Sequence, residues 1–317
     1  MFGIKKDWTT DLPPRYFTLE DYEGGVARWC PGCGDLAILS AVQKICREEQ
    51  LPPEKVVAVS GIGCAGRFPH YMATYGFHGL HGRALPVACG VKSRRPDLKV
   101  WVATGDGDCC SIGAGHWLHA IRYNMDMTIM LFDNNIYGLT KKQTSPTTEP
   151  GQKTNTHPRG AWLPAMDPIS TTLGMTNVSF VAQTVDFHPA HLYATLKAAY
   201  HHKGTSFVRI LQRCPTYTDH VFSALKTDPS KLMLLTHDKG IDLDPAMVDR
   251  FPVTLNHDPS NLSAAQEVAR RRDVYPIGLF FQDDKRPIYD DFVNEGLGMS
   301  EDQKITAINA ELDRFAL

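Results

Sequence analysis

Five stretches of the chain read as buried strands: KVVAVS (Lys55–Ser60), LKVWVATG (Leu98–Gly105), MTIMLFDN (Met127–Asn134), SFVAQT (Ser179–Thr184) and SFVRILQR (Ser206–Arg213). Apolar runs of strand length, bounded by Gly, Asn and Pro, fit strands covered on both faces. Helical spacing lies between them. Ile38, Ala41, Val42 and Ile45 share one face of a helix capped near Asp35 and ended by Pro52-Pro53. A small-residue helix leads to Arg94-Arg95-Pro96, another covers Cys109–Asn124, and a third runs near Pro189–His202. Strands alternating with helices predict an α/β fold, a doubly wound and mostly parallel sheet.

The clearest unit runs from Leu98 to Gly138: strand, the turn Gly105-Asp106-Gly107-Asp108, helix, strand, then Asn134-Asn135-Ile136-Tyr137-Gly138. A βαβ crossover brings both strand ends to one edge of the sheet, where open α/β sheets bind ligands. Outside the rhythm, residues 1–28 read as an irregular N-terminal arm, and residues 29–219 as the main domain. Leu139–Trp162 carries turn residues with almost no apolar periodicity, and so long a loop in a compact domain is usually functional or a partner contact. Residues 220–317 read as an irregular C-terminal extension. Two capping-box spacings stand out there, Ser263 with Gln266 and Ser300 with Gln303, and the last helix carries an apolar stripe, Ile305, Ile308, Leu312 and Phe315, that must pack on something.

Lys and Arg total 33 against 35 Asp and Glu, a balance that argues against nucleic-acid or membrane-surface binding. The N-terminus lacks the apolar core of a signal peptide and no apolar run approaches membrane-spanning length, so a cytoplasmic protein is expected. Eight cysteines in such a chain point to metal or redox chemistry rather than disulfides.

Asp106 and Asn134 sit at the two strand ends of the βαβ unit. A lone Gly-Asp-Gly is an ordinary turn. Here, however, a carboxylate, an amide oxygen and a nearby carbonyl (Ile136) meet on one edge, the hard oxygen donors that Mg²⁺ takes alongside substrate phosphate. Glycines at 105, 107 and 138 let backbone approach the phosphates.

GDG followed at this interval by Asn resembles the thiamine diphosphate motif. The string Asp133-Asn134-Asn135-Ile136-Tyr137-Gly138-Leu139-Thr140-Lys141 resembles one branch of those enzymes, the β subunits of 2-oxoacid:ferredoxin oxidoreductases. Cys30-Pro31-Gly32-Cys33 alone is also compatible with a thioredoxin dithiol, but no strand pattern precedes it. Cys64 and Cys214 end strand-like runs, and four such thiolates suit either structural zinc or a 4Fe–4S cluster. The resemblance decides for the cluster, since Cys-Pro-x-Cys-Gly, Gly-Ile-Gly-Cys and Cys-Pro-Thr all match the family's. Cys46, Cys89, Cys109 and Cys110 read as core or helix-start residues.

Gly61-Ile62-Gly63-Cys64-Ala65-Gly66 satisfies the dinucleotide fingerprint, yet no Asp or Glu lies between Arg67 and Pro96 to bind a ribose, so NAD binding is rejected. The resemblance instead places Ile62, Gly63, Cys64 and Ala65 in the thiamine pocket, with Gly105, Gly107, Asp108, Gly138 and Leu139. His81-Gly82-Arg83 matches the family too, which puts His81 beside the cofactor. His78 with His81, and His116 with His119, are otherwise ordinary packing or surface pairs. Lys141 would meet a substrate carboxylate, and His81 and Lys141 are the candidate catalytic residues. The family's usual residue after this lysine is Gly. This chain has Lys142, whose extra charge favours a dicarboxylic 2-oxoacid.

The resemblance thus implies coenzyme A-dependent oxidative decarboxylation of 2-oxoglutarate to succinyl-CoA and CO₂, with electrons passed through the cluster to ferredoxin, or the reverse, CO₂-fixing direction. It implies thiamine diphosphate, Mg²⁺, one 4Fe–4S cluster and coenzyme A as co-substrate. It also implies an α subunit, which would bring the other half of the thiamine site, in an (αβ)₂ assembly. From the sequence, three alternatives stay open: another 2-oxoacid such as pyruvate, a non-redox thiamine enzyme with structural zinc, and a non-enzymatic iron–sulfur carrier.

Overall fold

Each of the five apolar runs becomes a strand. The computed structural model describes residues 15–295 and 299–315, so the first half of the expected arm lies outside the described residues. The strands are β1 (Val56–Ser60), β2 (Tyr75–His78), β3 (Lys99–Gly105), β4 (Met127–Asp133), β5 (Phe180–Val185), β6 (Thr205–Leu211), β7 (Leu232–Thr236), β8 (Thr254–Asn256) and β9 (Tyr275–Gln282). They form one sheet in the order β2-β1-β3-β4-β6-β5-β9-β7-β8. All neighbours run parallel except β5 and β9.

Helices cover both faces, which is why these strands are apolar throughout rather than alternating. On one face α1 (Asp35–Glu48) and α5 (Pro189–His201) pack Ile38, Val42, Leu192 and Leu196 over Ala58, Phe132 and Val208. On the other lie α2 (Ala84–Arg94), α3 (Ala114–Tyr123) and α4 (Pro168–Leu173). There Trp117 stacks on Phe207 at 5.4 Å between ring centroids. Each such side chain, fully buried, contributes about 1.5–3 kcal/mol. Cys46, Cys109 and Cys110 are buried in these two layers, as their core reading required.

The tail departs from expectation. Residues 220–317 are not irregular: three of their segments extend the sheet, and α6 (Ser223–Thr227), α7 (Pro245–Val248) and α8 (Leu262–Ala269) accompany them. Pro276 and Gly278 interrupt the apolar run of β9 and hide its strand character, but pairing with β5 across a register shift at Val181/Ala182 overrides local propensity. The cap of α8 is Asn261, which accepts from Ala264 N, not Ser263. α9 (Tyr289–Glu295) and α10 (Glu301–Asp313) close the described chain. Ser300 and Gln303 complete both halves of their capping box. Among the described residues, Ile308, Leu312 and Phe315 of the α10 stripe are exposed, the last by 81%, while Ile305 is half-buried.

His191, on α5, is fully buried and meets Thr184 Oγ1 through Nδ1 at 2.8 Å. Burial, with help from His188 and His237, pushes its pKa down to about 3. The unfolded chain takes up this proton near pH 6.5 and the folded chain does not, so stability falls as pH drops below 6.5. By pH 5 the loss from this one group is about 2 kcal/mol. Urea midpoints at pH 7 and pH 5 should show that loss in the wild type and a flatter response in His191→Gln. Equal losses would refute the assignment.

Candidate functional site

From β1 the chain steps to β2 on one side and returns to β3 on the other, so the strand order reverses between β1 and β3. A crevice opens outside the carboxyl ends of the strands at such a reversal. The turns after β1 (Gly61–Cys64), β3 (Gly105–Asp108) and β4 (Asn134–Gly138) all line it, as does Gln212 after β6. The cavity measures about 90 Å³.

Asp108 ties its walls together. One carboxylate oxygen accepts from Ile62 N at 3.0 Å and Gly82 N at 2.7 Å and lies 2.6 Å from His81 Nδ1; the other takes the Thr104 hydroxyl at 2.8 Å. Three loops are thereby fixed by one buried side chain. A π-helical turn at Asp108–Ile112, before α3, sets that side chain in place. The turn after β1 must be glycine, since a Cβ on Gly61 would lie 2.0 Å from Asp108 Oδ2. The same crowding explains the false dinucleotide fingerprint: the room beside its first glycine is filled by a carboxylate. Gly107 is required likewise, because its Cβ would fall 2.1 Å from the Tyr137 ring. That tyrosine donates to Gly107 O at 2.9 Å and meets the His81 ring edge-on. Asp108 holds Nδ1 of His81, which leaves Nε2 as the nitrogen available to a ligand.

Asp106 is 2% exposed. Burial, then the neighbouring Asp133 carboxylate, raises its pKa to about 7, and no cationic side chain among the described residues offsets this. Thr147 places its single hydroxyl 2.7 Å from Asp106 Oδ2 and 2.9 Å from Asp133 Oδ1. Asp133 is in turn bound by Arg209 through Nε at 2.7 Å and Nη2 at 2.6 Å. Asn134 and Ile136 line the same cavity as Asp106. A buried carboxylate without a cation, beside an amide and a carbonyl, is the donor set a hard divalent ion completes.

Beside this cavity lies a second, of about 170 Å³, walled by Cys30, Cys33, Cys64 and Cys214. Cys64, Asn134, Gly138, Leu139 and Gln212 border both. The Sγ atoms of Cys64 and Cys214 come within 3.5 and 4.0 Å of where a Cβ on Gly138 would stand. Thr216 Oγ1 donates to Cys30 Sγ at 3.2 Å and Gln212 Nε2 to Cys33 Sγ at 3.3 Å. Burial, then Asp35, pushes Cys33 far up and Cys64 up to about 12, a shift that positive charge beside the sulfurs would oppose.

The structure therefore gathers Ile62, Gly63, Cys64, Ala65, His81, Gly105, Asp106, Gly107, Asp108, Asn134, Ile136, Gly138 and Leu139 round one cavity. It does not bring in Lys141, which is exposed at the rim beyond Leu139 and Thr140. Lys141 and Lys142 both adopt left-handed backbone, φ 68° and 63°, and Asn155 binds the two carbonyls through Nδ2 at 2.6 Å and N at 2.8 Å. The long loop is thus built rather than slack. Three residues escaped the sequence reading. Thr147 lay in the loop without a strand to mark it, and Gln212 was passed over at the strand end before Cys214. Asp35 was read only as a cap, yet it is 1% exposed and lines the cavity, with the Cys33 thiol beside its carboxylate.

A switch-point crevice with a buried, cation-free carboxylate has the donors that a diphosphate with a divalent ion would need. In keeping with that chemistry, residues 54–210 match the family description of the thiamine pyrophosphate enzyme C-terminal TPP-binding domain, and residues 250–296 that of the C-terminal part of the pyruvate ferredoxin oxidoreductase β chain. The chain is 39% identical over 268 residues to the 2-oxoacid:ferredoxin oxidoreductase subunit beta of Sulfolobus sp, covering 83% of this chain and 84% of that one. The chain belongs to the β subunits of the 2-oxoacid:ferredoxin oxidoreductases. It is also 47% identical to 2-oxoglutarate oxidoreductase subunit KorB of Mycobacterium tuberculosis over 69% of this chain, a match that spans 58% of the mycobacterial protein. Among solved structures, 2-oxoglutarate:ferredoxin oxidoreductase from Magnetococcus marinus, with 2-oxoglutarate, coenzyme A and succinyl-CoA bound, superposes with a TM-score of 0.77. It is 36% identical and covers 92% of this chain and 96% of that one. Among the described residues no helix is long and apolar enough to cross a membrane.

Proposed function

We propose that this chain is the cofactor-bearing subunit of an enzyme that oxidatively decarboxylates 2-oxoglutarate to succinyl-CoA, or runs the reverse reaction, with ferredoxin as the electron partner. The carrying observation is the pair of adjoining cavities, one lined by hard oxygens and glycines, the other by four cysteines. Thiamine diphosphate, when bound, supplies the carbon nucleophile for the oxo carbon and takes up the electrons left by loss of CO₂. Asp106, the Asn134 side chain and the Ile136 carbonyl would hold Mg²⁺ against its diphosphate. Asp108 holds His81 by Nδ1, so that Nε2 would be free to meet the bound cofactor. Cys30, Cys33, Cys64 and Cys214 would hold a 4Fe–4S cluster, which accepts electrons singly and so suits ferredoxin. Lys141, with Lys142 behind it, would meet the distal carboxylate of a dicarboxylic substrate at the rim. Substrates of the relatives support 2-oxoglutarate.

A cavity of about 90 Å³ is well below the roughly 300 Å³ at which small-molecule sites begin, which supports a second half supplied by an α subunit in an (αβ)₂ assembly. The test is anaerobic co-purification with the α partner, followed by analysis for iron, sulfide, zinc and thiamine. Ferredoxin reduction is then followed with coenzyme A across several 2-oxoacids. Iron with sulfide, released thiamine and a preference for 2-oxoglutarate are expected. Zinc without sulfide would sink the electron-transfer reading, and faster turnover of pyruvate would sink the substrate assignment.

A further inference from the structure

Gln212 stands in the partition between the two cavities and lines both. It is 1% exposed, held where β6 ends. Its amide nitrogen donates to Cys33 Sγ at 3.3 Å and also to Arg213 O. The Arg213 carbonyl can only accept, so it fixes which end of the amide carries the hydrogens and leaves an N–H for the sulfur. At the other end, Gln212 Oε1 is buried and has no partner. A buried amide is seldom left half satisfied.

We infer that Gln212 is the positioning residue that couples the two sites: its N–H sets the reduction potential of the iron–sulfur cluster through Cys33, and its carbonyl takes a hydrogen bond from the molecule in the neighbouring cavity. The inference rests on the reading of the four cysteines as cluster ligands. Reduction adds negative charge to the cluster sulfurs, and an N–H aimed at one of them stabilises that charge. The bond is buried and made to a charged acceptor, the setting in which a hydrogen bond contributes most. The carbonyl end works in the same direction. A donor on Oε1 polarises the amide and strengthens its N–H as a donor. Thr216 makes a similar bond to Cys30, but that thiol is exposed and water can replace the hydroxyl.

The test is the midpoint potential of the cluster in the purified αβ complex, followed by electron paramagnetic resonance during a redox titration, with and without thiamine diphosphate. Gln212→Leu keeps the volume and removes donor and acceptor. It should shift the reduction equilibrium about tenfold toward the oxidised cluster, which is about 59 mV for one electron. In the wild type the potential should rise when the cofactor binds, and in Gln212→Leu it should not. Gln212→Glu, which keeps a polar side chain if leucine prevents assembly, removes the donor and adds charge, so it should lower the potential further. Thr216→Val should shift the reduction equilibrium less than about threefold. A cluster present at full occupancy with the wild-type potential in Gln212→Leu or Gln212→Glu would overturn the inference. Absence of iron and sulfide from the wild type would instead overturn the cluster reading beneath it.

Discussion

Asp106→Asn is expected to weaken Mg²⁺-dependent binding of thiamine diphosphate to the αβ complex by on the order of a thousandfold, about 4 kcal/mol. The substitution keeps the shape and one oxygen donor but removes the one charge from the proposed ligand set, since Asn134 and the Ile136 carbonyl are neutral. The same change should make the cofactor-free complex about 2 kcal/mol more stable, because Asp106 is buried beside Asp133 without a cation of its own. Opposite signs in the two measurements mark a group kept for binding at the expense of the fold. Titration calorimetry with Mg²⁺ and cofactor gives the first, and urea unfolding of chelator-treated complex the second. Unchanged affinity would remove Asp106 from the metal site.

Arg209→Met should cost about 3–5 kcal/mol of stability, because it strips the counter-ion from Asp133, which is fully buried. Arg209 also reaches Gln183 Oε1 at 3.2 Å and Asp167 Oδ1 at 3.7 Å, so it joins β6, β5 and the loop before α4. Removing both charges in Asp133→Asn/Arg209→Met should recover most of the loss, since an apolar or neutral pair costs less than one unpaired buried charge. The effect should also reach the metal. Asp133 shares the Thr147 hydroxyl with Asp106, and outer partners of a ligand typically carry about 10–100-fold in metal affinity. Denaturant unfolding and Mg²⁺ titration of the two variants check both statements. A double variant no more stable than Arg209→Met alone would show that the ion pair is not the source of the loss.

Much of the site was legible because its chemistry sits at strand ends. A long apolar run followed by Gly-Asp-Gly, Asn-Asn or Gly-Ile-Gly-Cys announces both the element and where it stops, and parallel strands send those ends to one edge. Strands such as Lys99–Gly105 and Met127–Asp133, buried on both faces, leave little ambiguity. β7, β8 and β9 were hidden for the opposite reason. They are short or carry Pro and Gly, and only sheet pairing makes them strands, β9 with β5, β7 with β9 and β8 with β7. Asp35, Thr147 and Gln212 were invisible because nothing local distinguishes a cap, a loop threonine or a strand-end glutamine from a residue that lines a cavity or bridges two buried carboxylates.

The crevice of Leu98–Gly138 marks the division. The sequence alone named the candidates for holding a metal and phosphate, because residue type and strand periodicity are local properties, and the family resemblance named the candidate cluster cysteines. Only the tertiary structure decided that the two groups share a wall, that Asp108 braces three loops, and that Asp106 lies without a counter-ion. Those depend on which strand ends become neighbours at the reversal between β1 and β3 and on what each buried polar atom meets there, and no stretch of chain encodes either by itself.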